Sequence, residues 1–288
     1  MVATRFVVGQ SEPASLALLR YLIALVCLMP LALMAPRPAF ARRDLLPVAV
    51  LGMLQFGILI AVLNFGLKYI PSGRGALIFS TAPLLTMLLA AALRQEALTG
   101  AKAGGVALSG IGVALVLAER GGFAASNPDA WIGDLAVALS ALTSAVCNVG
   151  YRPYMARYPA LPVSVYSIFA AVLLLAVLAG FEGFYAAPPQ FTIIGWIAVA
   201  FIGVSSAVGF FTWLWALRHI SATRAAVFLS LGPVAATIGG VALLGEVVSL
   251  LFLSGLVLVV AGLWLANRPA RAEAGVNTKP TEGSGGPP

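Results

Sequence analysis

Charged side chains are scarce in this chain: Asp, Glu, Lys and Arg together make up 9% of its 288 residues, whereas hydrophobic residues make up 61%. Soluble domains carry about 25% charged residues. A soluble chain of this composition would not have enough polar groups to cover its surface. The shortage of charge therefore excludes an ordinary soluble domain and indicates a protein surrounded by lipid.

Histidine and cysteine are nearly absent, with one and two copies. We expect His219 to lie in a loop, which argues against a histidine-based metal site or catalytic triad. Cys27 and Cys147 fall within apolar runs, where they are expected as small apolar fillers rather than as a disulfide. There is no Walker motif, and Ser205 and Ser206 have no partnering base for an intramembrane protease. The sequence predicts no enzyme, no metal and no cofactor.

Long apolar runs are abundant, and each is continuous over the roughly 20 residues that a helix needs to cross a bilayer. We expect spans near 14–35, 45–68, 73–94, 101–118, 131–154, 162–182, 191–217, 222–244 and 248–267. The opening segment Met1–Gly9 is too short to cross. Because its counterpart at 131–154 extends much further upstream, we expect a truncated first helix; a genuine half-span is the alternative.

The chain repeats itself at an offset of 150 residues, because residues 64–117 align without a gap with residues 214–267. Identical pairs include Arg74/Arg224, Ser80/Ser230, Pro83/Pro233, Glu96/Glu246, Gly105/Gly255 and Gly112/Gly262. A duplicated apolar unit is typical of a transporter whose site lies between the halves. With five spans per repeat, the second repeat enters the membrane from the opposite side.

The predicted fold class is therefore an all-α integral membrane protein of ten transmembrane helices, the first one truncated, in two inverted five-helix repeats. We place the repeats at residues 1–118 and 131–267, followed by a disordered cytoplasmic tail at 268–288. With the N-terminus of the first helix in the cytoplasm, most basic residues lie on the cytoplasmic side, as the positive-inside rule requires. That excess explains the net charge of +7 without a nucleic-acid partner. The cytoplasmic set is Arg37, Arg42, Arg43, Arg94, Lys102, Arg152, Arg157, Arg218, Arg224, Arg268, Arg271 and Lys279; the outer set is Lys68, Arg74 and Arg120.

Few charges fall within the predicted spans. Arg20 interrupts an apolar run, and such a residue faces a cavity or a partner unless it reaches the nearby interface by snorkelling. Glu96 and Glu246 end corresponding helices, where they either carry protons or serve as caps. Asp134 opens a span, where an acid suits a helix N-terminus. No carboxylate falls clearly at the centre of a span, so proton coupling has little support.

The candidate substrate site is drawn from the polar and aromatic residues deep in the spans. Pro83 and Pro233 each remove a backbone hydrogen bond at matching positions of the two halves, which predicts kinked helices beside a midplane site or hinge. A cavity lined by aromatic rings with a few amide and hydroxyl groups suits a neutral or zwitterionic amphiphile. The substrate-binding candidates are Asn64, Phe79, Pro83, Asn148, Tyr151, Trp213, Trp215 and Pro233.

Several segments together resemble the EamA-type members of the drug/metabolite transporter superfamily. They are ALRHISATRAA (216–226), LGPV (231–234) and LGE (244–246). The corresponding segments of the first half are GLKYIPSGRGA (66–76) and AP (82–83). The first half departs from the pattern, because Gln95-Glu96 replaces the usual Gly-Glu. The resemblance implies ten helices in inverted repeats and an exporter of the bacterial inner membrane that does not hydrolyse ATP.

Taken together, these features predict a multi-pass secondary transporter that exports amino acids or similar small amphiphilic metabolites by alternating access. Aromatic amino acids, as moved by the YddG-type members of the family, are the favoured cargo. The alternatives are a proton-coupled exporter of cationic toxicants and a membrane protein that transports nothing. The expected partners are the small-molecule substrate and the lipid bilayer, and a homodimer through the glycine-rich helix faces is a further expectation.

Overall fold

The computed structural model describes residues 1–34, 40–95, 99–118, 128–219 and 231–266, without the side chains of 210, 211 and 213–219. Within these ranges the regular structure is helical, and no strand occurs. In chain order the helices are α1 (Val2–Val7), α2 (Pro13–Met34), α3 (Arg42–Tyr69), α4 (Ser72–Ala92), α5 (Gly100–Ala118), α6 (Ala130–Met155), α7 (Ala160–Phe181), α8 (Ile193–His219), α9 (Leu231–Leu244) and α10 (Leu250–Ala266).

Six helices of the described ranges, α2 to α7, are long and apolar enough to cross a membrane. Shorter apolar helices follow at Ile193–Gly209, α9 and α10. Many of their large side chains lie on the outside of the bundle, including Leu33, Phe181 and Leu250. Such side chains are stable in contact with lipid tails, which identifies a multi-pass membrane protein.

The helices agree with the predicted spans to within a few residues at most ends. His219 is a correction: it is the last residue of α8 rather than a loop residue, because the helix continues beyond the apolar run. Residues 222–230 of the predicted span at 222–244 lie outside the described residues, as do Glu96 and the tail at 268–288. The ten-helix inverted-repeat arrangement stays a prediction at this point.

Two carboxylates cap the N-termini of helices that are distant from them in the sequence. The Ala14 and Ser15 amides at the start of α2 donate to the two oxygens of Glu182 at 2.9 and 2.8 Å. At the start of α4, the Ser72 amide donates to Oε1 of Glu246 at 2.7 Å. The first amides of a helix have no partner within it, and their positive potential favours an anion. These two acids therefore act as caps.

The Leu-Gly-Glu sequence at 244–246 has a geometric explanation. Gly245 ends α9 with a φ of +65°, a backbone conformation that side chains other than glycine rarely adopt. The chain then turns back, and Glu246 reaches the N-terminus of α4 instead of the following helix, α10. The glycine is needed so that the carboxylate can point back into the bundle.

Polar contacts collect at the two ends of the bundle. We call the end that carries Glu12, Lys68, Asp134, Glu182 and Glu246 the acidic end. There the Lys68 ammonium pairs with Glu12 at 2.8 Å, and Arg74 pairs with Asp134. The opposite, basic end carries Arg42, Arg43, Arg152 and Arg157, and there Asp44 accepts from Arg157 at 2.8 Å and from the Tyr158 hydroxyl at 2.7 Å.

Small residues bring α5 and α10 into close contact. An ideal Cβ on Gly105 would lie 2.4 Å from the carbonyl oxygen of Gly262, and one on Gly112 would lie 2.6 Å from that of Gly255. Midway between them, the Ser109 hydroxyl donates to the Val259 carbonyl at 3.3 Å. These glycines are therefore used inside the chain, and the predicted homodimer gains no support from them.

The remaining helices surround the centre of the bundle. On one side α2 packs against α7 and α8, and on the other α3 and α4 pack against α6. α4 is interrupted after Phe79 and resumes at Ala82, so that Pro83 lies in the first turn of its second part. This interruption places a kink where Pro83 predicted one. The interruption borders an open space between the helices.

Candidate functional site: a central cavity between the helices

A cavity of about 750 Å³ lies between α1, α2, α3, α4, α6, α8 and α9. Pockets that hold small organic ligands measure about 300–1,000 Å³. Its apolar lining comprises Met1, Val2, Ala3, Ala76, Phe79, Ala82, Pro83, Phe201, Ile202, Gly232, Pro233, Ala235 and Ala236; its polar lining comprises Thr4, Arg20, Gln55, Ser80, Ser144, Asn148, Ser205 and Ser206. The cavity thus offers one apolar environment with a small number of polar groups.

The structure places the candidate site residues in three groups. Phe79, Pro83, Asn148 and Pro233 line the cavity. Asn64 and Tyr151 do not line it. The side chains of Trp213 and Trp215 lie outside the described residues.

Asn64 and Tyr151 hold helices together instead. The Asn64 side chain is 1% exposed, and its amide donates to the Pro13 carbonyl at 3.0 Å, joining α3 to the start of α2. The Tyr151 hydroxyl lies 2.9 Å from Oγ of Ser167, which ties α6 to α7. Sequence reasoning placed both in the cavity because they are polar or aromatic and lie in spans, but their helix faces point at neighbouring helices.

The kink in α4 is stabilised by two hydroxyl groups. The Ser80 hydroxyl donates to the Leu77 carbonyl at 2.6 Å, and the Thr81 hydroxyl donates to the Ile78 carbonyl at 2.7 Å. The missing amide hydrogen of Pro83 frees the Phe79 carbonyl, and the helix is interrupted at Ser80 and Thr81. Hydroxyl groups beside such an interruption satisfy backbone carbonyls inside a membrane protein. The kink turns Phe79 and Pro83 into the cavity wall.

Arg20 is the charged side chain in the described cavity wall. Its Nε donates to the Ser206 hydroxyl at 2.8 Å, and that hydroxyl in turn donates to the Ile202 carbonyl at 2.6 Å. The guanidinium carbon also lies 5.5 Å from the centre of the Tyr21 ring. Of the two alternatives for Arg20, snorkelling and a cavity position, the structure shows the second. The signal in the sequence was an arginine within a long apolar run.

Gln55 lies on an unusual stretch of α3. Residues Met53–Ile58 form a π-helical turn, a rare feature that frequently occurs at functional sites. Oε1 of Gln55 is buried and has no hydrogen-bond donor. A buried acceptor without a donor is costly, which makes it a candidate for a bound ligand's donor. Nothing in the sequence marked the π turn.

The carboxylates of the described residues do not line the cavity. Glu182 and Glu246 cap α2 and α4, whereas Asp134 binds Arg74 with both oxygens at 2.8 and 2.7 Å. Among the side chains of the described wall, Arg20 therefore carries the charge, and it is positive. Such a wall favours a ligand with a negative group over a purely cationic one.

A bundle of apolar helices around an interior, partly polar cavity defines the class of membrane transporters. The profile of the EamA-like transporter family matches residues 1–118 and 131–268, so the chain belongs to this family. It is 33% identical over 264 residues, 88% of this chain and 84% of the relative, to a protein of Streptantibioticus cattleyicolor named "Probable terminal-alkyne amino-acid exporter".

Other similarities agree with the assignment to this family. An "Uncharacterized transporter" of Archaeoglobus fulgidus is 26% identical over 92% of each chain. A protein known from its crystal structure superposes with a TM-score of 0.65 at 23% sequence identity, covering 91% of this chain and 90% of its own. This structural likeness extends along nearly the whole chain and supports the helical fold described above.

Proposed function

We propose that this protein is a secondary transporter that exports amino acids and similar small amphiphilic metabolites across the bacterial inner membrane. The observation that carries the proposal is the composition of the central cavity, whose described lining side chains are apolar apart from amide and hydroxyl groups and one arginine. A cavity of about 750 Å³ accommodates a solute of amino-acid size together with water. The Streptantibioticus cattleyicolor relative, named as an amino-acid exporter, supports the same substrate class.

Within this class we favour amino acids with apolar or aromatic side chains. Phe79, Phe201 and Ile202 supply an apolar wall against which such a side chain packs. The second candidate, a proton-coupled exporter of cationic toxicants, requires a carboxylate in the wall. Among the described lining residues there is none, and Arg20 would repel a cation.

The proposal includes ten helices in two inverted repeats. A two-fold axis between the repeats makes contacts reciprocal. If one residue of the first repeat contacts the counterpart of a second residue, then that second residue contacts the counterpart of the first. At the offset of 150 residues, Gly105 corresponds to Gly255 and Gly112 to Gly262. The observed pairs, Gly105 with Gly262 and Gly112 with Gly255, are reciprocal in this sense. Ser109 hydrogen-bonds to its own counterpart, Val259, as a residue beside the axis should.

The π-helical turn fits the same arrangement. Gly52 and Gly203 both lie where helices cross closely, α3 with α7 and α8 with α2. α3 has one residue more between Gly52 and Asn64 than α8 has between Gly203 and Leu214. A π turn takes up one more residue than an α turn, so the turn at Met53–Ile58 accounts for the difference between the repeats.

Contacts between the proposed repeats supply a mechanism for alternating access. At the acidic end, Glu182 holds α2 and Glu246 holds α4, while Arg74 and Asp134 join α4 to α6. Each contact pairs one repeat with the other. We propose that these contacts close the outer face while substrate enters from the cytoplasmic, basic end, and that they part when the repeats rock. The positive-inside distribution of the basic residues supports this orientation.

The test is flux in proteoliposomes that contain the purified protein. Radiolabelled phenylalanine, L-propargylglycine (a terminal-alkyne amino acid), threonine and a quaternary amine are compared, with and without a pH gradient. We expect flux of the amino acids and none of the amine. Phe79→Ala and Asn148→Ala should reduce this flux, whereas Phe169→Ala, on the lipid-facing surface of α7, should leave it unchanged. Flux of the amine alone, driven by the gradient, would make the proposal wrong.

A further inference from the structure

The unusual feature of the cavity is a guanidinium without a carboxylate partner. Arg20 lies seven residues into α2, roughly 10 Å from the helix start at a rise of about 1.5 Å per residue. No described carboxylate lies within ion-pair distance of it. Charged residues inside a membrane protein are expensive and mark substrate pathways when they face a cavity. The described part of the chain therefore supplies no counter-charge for Arg20, and a bound ligand would have to supply it.

The contacts of Arg20 leave its binding edge free. Nε donates to Ser206 at 2.8 Å, and this single bond fixes the plane of the guanidinium. Its two terminal nitrogens have no described acceptor. Paired N–H groups of an arginine match the two oxygens of a carboxylate, which makes this pair stronger and more directional than a lysine contact. The available edge is thus suited to an anion with two coplanar oxygens.

Close packing of α8 on α2 keeps Ser206 beside Arg20. An ideal Cβ on Gly203 would lie 2.6 Å from Cβ of Ile23 and 3.2 Å from the Arg20 carbonyl oxygen. Only a residue without a side chain allows this approach, and Ser206 follows Gly203 by one helical turn. Ser206 is therefore a positioning residue, whose hydroxyl accepts from Arg20 while donating to Ile202.

A complementary acceptor lies at the same level of the bundle. The Tyr21 and Phe56 rings pack edge to face with their centres 5.5 Å apart. Arg20 and Gln55 each precede one of these rings in the chain, and both line the cavity. Oε1 of Gln55 is buried and lacks a donor. An ammonium group of a ligand would supply that donor.

We propose that Arg20 and Gln55 form a subsite for the backbone of an α-amino acid, with the carboxylate on Arg20 and the ammonium on Gln55. This inference rests on the proposed function and deepens it, because it assigns the residues that recognise the substrate class. The side chain of the solute then lies against the apolar wall that includes Phe79 and Ile202. The protein selects solutes by the charged groups that all amino acids share and tolerates different side chains.

The test uses binding of radiolabelled phenylalanine to the purified protein, competed by 3-phenylpropionate, which lacks the ammonium, and by 2-phenylethylamine, which lacks the carboxylate. Arg20→Gln should weaken phenylalanine and phenylpropionate binding roughly 10- to 100-fold, the range expected for a lost charge-assisted contact. It should leave phenylethylamine binding equal or stronger, because the repulsion between two positive charges is removed. Arg20→Lys should recover part of the affinity. Gln55→Leu should weaken phenylalanine but not phenylpropionate.

Controls separate binding from folding. Arg43→Gln removes a positive charge from a side chain that is 83% exposed at the basic end, and it should bind all three compounds as the original protein does. Ser206→Ala should weaken carboxylate binding less than Arg20→Gln does. The thermal unfolding midpoint of every variant is measured in the same detergent. A variant that loses affinity for all three compounds equally would assign Arg20 a structural role and overturn the inference.

The outcomes also distinguish this inference from the proposed function. If the original protein binds phenylalanine through Arg20 but no amino acid is transported, the subsite stands and the transport proposal is wrong. If amino acids are transported and Arg20→Gln behaves like Arg43→Gln, the transport proposal stands and the subsite is wrong. If the original protein binds neither carboxylate compound, the subsite is wrong regardless of what is transported.

Discussion

Arg74 and Asp134 are joined by two parallel hydrogen bonds, Nε to Oδ1 at 2.8 Å and Nη2 to Oδ2 at 2.7 Å. The two side chains are only 7% and 13% exposed, so the pair is largely shielded from solvent. The ion pair links the N-terminal end of α4 to the N-terminal end of α6. Sequence analysis noted both residues separately, as an outer basic residue and as a helix-opening acid, without pairing them.

Breaking this pair should be costly. Asp134→Asn leaves Arg74 buried without a counter-charge, for which we expect a loss of about 3–5 kcal/mol in the free energy of unfolding. The measurement is thermal or denaturant unfolding in detergent. Arg43→Gln, at a side chain that is 83% exposed and 4.0 Å from Asp44, should change stability by less than about 1 kcal/mol. Replacing both partners by leucine should recover much of the loss; a double variant as unstable as Asp134→Asn would contradict this account.

Glu246 should prove to be a cap and not a proton carrier. Both of its oxygens accept from Ser72, one from the amide at 2.7 Å and one from the hydroxyl at 2.9 Å. Glu246→Gln removes the negative charge at the N-terminus of α4, so we expect it to lower stability by about 1–2 kcal/mol.

The same chemical change at Glu12 supplies the matched control, because that side chain is 57% exposed and its pair with Lys68 contributes little. Transport by Glu246→Gln, measured at equal amounts of folded protein, should respond to a pH gradient as the original protein does. A loss of gradient dependence in this variant alone would instead favour the proton-coupled exporter.

The contact between α5 and α10 should not tolerate a single methyl group. Gly105→Ala places Cβ 2.4 Å from the Gly262 carbonyl oxygen, so the helices must separate, at a cost of about 1–3 kcal/mol. Gly110→Ala is the same substitution on the same helix, but its Cβ would meet nothing within 4 Å. Because alanine favours helix by up to about 1 kcal/mol, this control should be neutral or stabilising. Equal unfolding midpoints for the two variants would be evidence against the close contact.

Gly203 offers a test of how packing controls the cavity. Gly203→Ala should push α8 away from Ile23 on α2 and so draw Ser206 away from Arg20. We expect a higher KM for amino-acid flux, with a smaller change in kcat, since binding geometry is altered first. Gly209→Ala, also on α8, meets nothing within 4 Å and should leave KM unchanged. A lower kcat at constant KM would point instead to the rocking motion.

The helix positions were largely predictable from the sequence, because continuous apolar runs of membrane length leave helix as the stable backbone structure. The break in α4 was predictable for an equally local reason, the missing amide of Pro83. The cavity residues were harder to predict. Phe79, Pro83, Asn148 and Pro233 line the cavity, but Asn64 lies against Pro13, and nothing in its span indicated which way its side chain points.

The composition and the long apolar runs by themselves determined that this is a helical membrane protein, because bilayer thickness and backbone hydrogen bonding constrain such a chain locally. The internal repeat indicated a transporter, and the motifs at 216–226, 231–234 and 244–246 indicated the family. Only the tertiary structure decided that Glu246 caps α4, that Arg74 binds Asp134 and that Arg20 faces the cavity on Ser206. Each of these contacts joins residues more than 50 positions apart, and the sequence pattern within a span does not reveal which neighbour a polar side chain meets.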